Sequence, residues 1–197
     1  MSLADGDRRV VIGIGNDYRR DDGFGPAVVA DLAGRRASDP RLSGVDLRVS
    51  DGEPARLIGL WTGCALAVVV DVVPGPADHA GDRHELAPAH IGAGAGGSHA
   101  VSLGSTVALG RALDRLPGRL VVLAVSGTEF GFGQGLTPPV AAAVPAVAER
   151  VCDLVGQHGE CPGRRRTAPP ALPRSPTTGR NEQSPAGAAP PACGTVG

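Results

Sequence analysis

Two places in this sequence set carboxylates where chemistry is commonly done. In the first, the short apolar run Val10-Val11-Ile12-Gly13-Ile14 leads through Gly15 and Asn16 to the adjacent acids Asp21 and Asp22. In the second, Ala65-Leu66-Ala67-Val68-Val69-Val70-Asp71-Val72-Val73 is the most apolar run of the chain, and Asp71 is its one charge. A carboxylate is costly to bury alone, so Asp71 ends its strand, pairs with a base or binds a cation. Carboxylates gathered at one point can hold a metal ion or act as general acid and base. No Ser-His-Asp or Cys-His arrangement with supporting context is visible, and no His-Glu-x-x-His helix. Cys64 precedes a buried strand and reads as a core thiol.

The elements that must position these acids follow from periodicity. Val10 to Ile14 is rich in β-branched residues and bounded by glycine, which predicts a buried strand. Phe24, Val28, Val29 and Leu32 recur at helical spacing, so a helix begins near Gly23. Val45 to Val49 alternates and predicts a strand with one exposed face. Pro54 opens a helix with Leu57, Ile58, Leu60 and Trp61 buried. The run around Asp71 lacks alternation, as in a central strand covered on both faces. Arg83-His84-Glu85-Leu86 is a short edge strand, and residues 89–97 form a Gly-rich loop. Ser98 or Ser102 caps the next helix, with Leu103, Val107, Leu113 and Leu116 inward. Arg119 to Gly127 is a further buried strand. Thr137 caps a last helix with Pro138 at its first position, and Pro145 predicts a kink. The strand–loop–helix order places the acids at strand carboxyl ends, where open α/β sheets gather their ligand sites.

Several readings of 9–25 compete. A dinucleotide fingerprint needs a third glycine where Tyr18 stands, and the acid after the next strand, Asp51, lies beyond the roughly 20 residues that fingerprint expects. No Gly-Lys-Ser/Thr follows, which removes a phosphate loop. Asp21 and Asp22 could serve only as a helix cap. Alternatively, one of them points into a site.

The full pattern Gly13-x-Gly15-Asn16-x-x-x-x-Asp21-Asp22-Gly23-x-Gly25 resembles the hydrogenase maturation endopeptidases, which trim the C-terminal extension from the large subunit of nickel–iron hydrogenases. The resemblance covers roughly residues 8–155. It implies a three-layer α/β/α sandwich with a mostly parallel, twisted five-stranded sheet, like that of phosphorylase-type hydrolases. It also implies a metal-facing set of Asp22, Asp71 and His99, the last being the histidine just before a Leu/Gly-containing helix start. His90 is the rival in the same loop; His79, His84 and His158 read as surface residues. Many relatives carry Glu where Asp22 stands. In the family the nickel is supplied by the substrate, and another divalent ion such as zinc or cadmium could take its place. The implied partner is the large-subunit precursor. The ion would polarise the scissile carbonyl or acidify a water, with Asp22 or Asp71 as an alternative general base. Asp51 and Glu53 either lie near the site or merely form an acidic strand-to-helix turn. The alternative functions are a metal-binding chaperone of hydrogenase assembly and a Rossmann-type nucleotide protein.

The formal net charge is −1 with no basic stripe, which speaks against nucleic acid. The first seven residues carry no apolar segment, and no run of about 18 apolar residues exists, so neither a signal peptide nor a membrane span is expected. Cys64, Cys152, Cys161 and Cys193 show no Cys-x-x-Cys spacing, which suits a reducing cytoplasm. The expected organisation is an N-terminal extension (1–8), one catalytic domain (9–155), and a disordered Pro/Ala/Gly/Arg-rich tail (156–197). Arg164-Arg165-Arg166 in the tail either touches an anionic partner or is a solvated charge run. A monomer is expected. Phe130 and Phe132, on a Gly-rich loop, either form a contact surface or tuck under the last helix.

Overall fold

A computed structural model describes residues 7–86 and 98–159 of the 197-residue chain. His90, the Gly-rich loop 89–97, the tail beyond 159 with Arg164–Arg166, and Cys161 and Cys193 lie outside the described residues.

The long apolar runs become the middle of a five-stranded sheet: β1 (Arg9–Ile14), β2 (Val45–Ser50), β3 (Leu66–Pro74), β4 (Arg83–Leu86) and β5 (Arg119–Gly127). The strand order is β2-β1-β3-β5-β4. β1, β2, β3 and β5 pair in parallel, and β4 is antiparallel to β5 at one edge. The helices are α1 (Phe24–Arg35), α2 (Pro54–Trp61), α3 (Ser98–Ala112) and α4 (Pro138–Gly159).

Alternation along the strands divides the apolar residues between two layers. Leu66, Val68, Val70 and Val72 of β3 pack with Phe24, Val28 and Leu32 of α1 and with the inner face of α4. Ala67 and Val69 face the other way, onto Leu57, Ile58 and Trp61 of α2 and Leu103 and Val107 of α3. The result is the expected α/β/α sandwich with a mostly parallel sheet. Cys64 is buried in the second layer, where a thiol packs as a small hydrophobe.

Three local expectations differ. Leu113, expected on the inner face of α3, lies just past the end of that helix and is 53% exposed. α4 runs unbroken across Pro145 to Gly159. Pro145 is exposed, so the carbonyl left without an amide donor can turn to water. In β2, Val49 belongs to the inward set by alternation but is 51% exposed. The strand end there overhangs a cleft.

Candidate active site

The glycines of the first loop make the acids converge. β1 must end close against the start of α1. A Cβ on Gly25 would stand 2.3 Å from the Ile14 carbonyl oxygen and 2.8 Å from that of Val70. A Cβ on Gly15, whose φ is +137°, would stand 1.8 Å from the Asp22 carbonyl oxygen. That carbonyl instead accepts the Asn16 amide at 3.1 Å. The Gly-x-Gly spacing therefore serves backbone interlocking between strand and helix. The chain rounds the corner through Arg20 in the left-handed region (φ 51°). A single 3-10 turn, Arg20–Gly23, then carries both acids.

The two acids do different work. Asp21 is fully buried and does not cap its own helix. One carboxylate oxygen accepts the amides of Thr128 and Glu129 at 3.0 Å each. The other accepts the amide and hydroxyl of Thr137 at 2.7 and 2.9 Å. Burial alone would raise its pKa, but the hydrogen bonds from Thr137, Thr128 and Glu129 hold it below the usual carboxylate range. Asp21 thus clamps the β5–α4 loop. Thr137, expected as a simple cap, spends its hydroxyl on that clamp.

Asp22 is placed differently. It is 3% exposed and lines a cleft of about 340 Å³ together with Asp17, Tyr18, Val49 and Asp51. Asp71, also 3% exposed, follows Val70 on the face covered by α2 and α3. Its Oδ1 accepts the Val72 amide at 2.8 Å. Burial pushes the Asp71 carboxyl up to about 7, and the nearby Asp22 charge adds to the rise. The Asp22 charge thus reaches Asp71, and carboxylate oxygens are of the donor type that divalent cations take.

His99 lies in the first turn of α3, and its side chain is outside the described residues. Among the described residues, no group of three His, Cys, Asp or Glu side chains is placed to hold a metal.

The two possibilities for Asp51 and Glu53 separate. Glu53 caps α2, accepting the Ala55 and Arg56 amides at 3.1 and 2.8 Å. Asp51 faces the cleft. Asp17 joins it there, a placement that loop sequence alone does not signal.

The aromatics of the β5–α4 loop also separate. Phe130 packs partly against the core, whereas Phe132 is 94% exposed. The loop pairs with the first loop through a parallel bridge, Arg19 to Gly133, with Gly133 donating to the Tyr18 carbonyl at 2.9 Å. That bridge brings the backbone before Gly133 near that of Tyr18, which lines the cleft and is 65% exposed.

Solved structures with this architecture exist. The chain superposes on the hydrogenase maturating endopeptidase HybD from E. coli with a TM-score of 0.64 and 23% identity, over 77% of this chain and 94% of that one. An endopeptidase from Escherichia coli gives 0.66 and 21%, with the same coverage. The [NiFe] hydrogenase maturation protease HybD from Thermococcus kodakarensis gives 0.59 and 20%, over 75% and 99%. No family model matches the sequence, and no curated protein does. No described helix is long and apolar enough to cross a membrane. At these identities the likeness is one of architecture: the chain has the fold of the hydrogenase maturation endopeptidases.

Proposed function

We propose that this chain is an endopeptidase of hydrogenase maturation. It removes the C-terminal extension of a nickel–iron hydrogenase large-subunit precursor in the cytoplasm, after nickel has been inserted. The observation that carries the reading is the pair Asp22 and Asp71. Both are buried, Asp22 on the 3-10 turn that follows β1 and Asp71 within β3, and the Asp22 charge adds to the burial that holds Asp71 at a pKa near 7 inside an apolar strand. Structural acids are not normally kept that way, because a protein can replace them with apolar side chains at little cost. Acids perturbed as Asp71 is cluster at functional sites.

On this reading Asp22, Asp71 and His99 meet the nickel that the precursor brings. The ion polarises the scissile carbonyl or acidifies an attacking water. Asp71, with its raised pKa, is suited to take up or release a proton near neutrality. Burial raises that pKa, and the nearby Asp22 charge adds to the rise. The chain lends ligands to a metal it does not own, so a precursor without nickel offers no grip. The exposed aromatics Tyr18 and Phe132, on loops joined by a backbone bridge, give a protein-sized substrate a surface to rest on.

The test is the intact mass of a purified cognate precursor, nickel-loaded and nickel-free, after incubation with this protein. The expected result is loss of a C-terminal peptide from the loaded form alone, abolished by Asp22→Ala and by His99→Ala. Equal cleavage of the nickel-free precursor would overturn the metal-gated mechanism. Stable binding without any cleavage would make the chain an assembly chaperone.

A further inference from the structure

The edge strand brings an imidazole to the sheet face that carries Asp71. In the register of the sheet, Asp71 on β3 stands opposite Ala124 on β5, and Ala124 stands opposite His84 on β4. The three residues form one row across three strands and project to the same face. With strands ~4.8 Å apart, the Cα atoms of Asp71 and His84 are about 10 Å apart, with only a methyl group between them. A carboxylate and an imidazole at that spacing can approach one ligand from two sides.

The His84 ring is held in place. Its Nε2 lies 3.0 Å from the Oγ of Ser126. Ser126 is 5% exposed and interrupts the apolar run of β5. The neighbouring end of β3 is kept bare for it, since a Cβ on Gly75 would come within 2.8 Å of the Ser126 Cβ. A buried hydroxyl is unfavourable unless it is bonded, and an edge-strand histidine needs no such partner to stay folded. The arrangement orients the ring, and the second-nitrogen bond of a histidine fixes its tautomer. The ring is also reachable, because His84 is exposed on the edge strand.

We infer that His84 is a substrate-contacting residue on the β4 side of Asp71, binding a main-chain carbonyl of the substrate's C-terminal segment through its Nδ1–H. Ser126 is its positioning residue, donating the hydroxyl proton to Nε2 so that the Nδ1–H tautomer prevails. This rests on the peptidase reading above. It adds a contact on the far side of the acid pair.

The experiment measures KM and kcat for cleavage of nickel-loaded precursor by the wild type, His84→Ala, His84→Asn, Ser126→Ala and the double variant, with melting temperature recorded for each. His84→Ala should raise KM about tenfold with kcat within about twofold, the signature of a lost binding contact. His84→Asn, which keeps a donor near the Nδ1 position, should recover most of the loss. Ser126→Ala should raise KM by a smaller factor, and the double variant should match His84→Ala. Unchanged KM in His84→Ala, with the wild type active, overturns the inference and leaves the peptidase reading standing. Equal losses in His84→Ala and His84→Asn that follow melting temperature overturn it as well, because they assign the histidine a structural role. A wild type that leaves the loaded precursor intact overturns both.

Discussion

The carboxylate of Asp21 receives both the amide and the hydroxyl of Thr137, at 2.7 and 2.9 Å, across 116 positions of sequence. This one side chain fixes where the first loop and the start of α4 meet. Truncating it strands three amides that are now bonded to a charge. We expect Asp21→Ala to lose about 3–5 kcal/mol of stability. Asp21→Asn, which can still accept but offers one oxygen, should lose less. Urea unfolding of the two variants measures the difference. An Asp21→Ala protein as stable as the wild type would remove the clamp from the account.

Asp71 makes stability depend on pH in an unusual direction. Its folded carboxyl titrates near 7 against an ordinary value of 3.8. The folded protein therefore holds a proton more tightly than the unfolded chain between those values. Stability contributed by this group is full below about pH 4, falls as pH rises toward 7, and is level above it. The loss is on the order of 4 kcal/mol. Metal-free Asp71→Asn should lose this slope and be more stable than the metal-free wild type at pH 8. Melting curves of both at pH 5 and 8 read it directly.

Two glycines of the same helix should respond in opposite ways. A Cβ on Gly25 meets the Ile14 and Val70 carbonyls, whereas a Cβ on Gly34 meets nothing within 4 Å. Gly25→Ala must push the helix off the sheet, and we expect a loss of about 3 kcal/mol or more. Gly34→Ala should gain about 0.5–1 kcal/mol, the ordinary preference of a helix for alanine. Chemical denaturation of the pair is the check, and a tolerated Gly25→Ala would contradict the interlock.

The exposed rim should matter to a protein substrate and not to the fold. Replacing Tyr18 and Phe132 together by serine should leave stability within about 0.5 kcal/mol, since neither is buried. The same change should weaken binding of the precursor by tenfold or more, as aromatic anchors do at interfaces. Calorimetric titration against the precursor separates the two effects.

The sheet was legible because its central strands are long apolar runs with Gly and Pro at their ends, as at Val10–Ile14 and Leu66–Val73. The helices were legible from spacing such as Phe24, Val28 and Leu32. Asp71 could be singled out because a lone charge in such a run demands a reason. Other features depend on contacts that sequence does not order. Nothing near Asp21 announces Thr137 as its partner, so it read as a helix cap. His84 looked like a surface residue because a four-residue edge strand carries no signal of which strand it joins. Only the register against Ala124 sets it on the face of Asp71. Val49 fitted a buried pattern, and the cleft beneath its strand end is what leaves it open.

The Asp21 clamp also has a consequence for the order of synthesis. The residue that makes the charge is near the beginning of the described domain, and the last of its donors opens the final helix. A nascent chain that has not yet presented Thr137 holds a carboxylate with its best partner unmade, while β1, β2 and β3 already carry what they need to pair. Vectorial folding can therefore build the centre of the sheet early and cannot seat the first loop until the end. Asp22 lies on the same turn, so its seating waits for the arrival of the last helix.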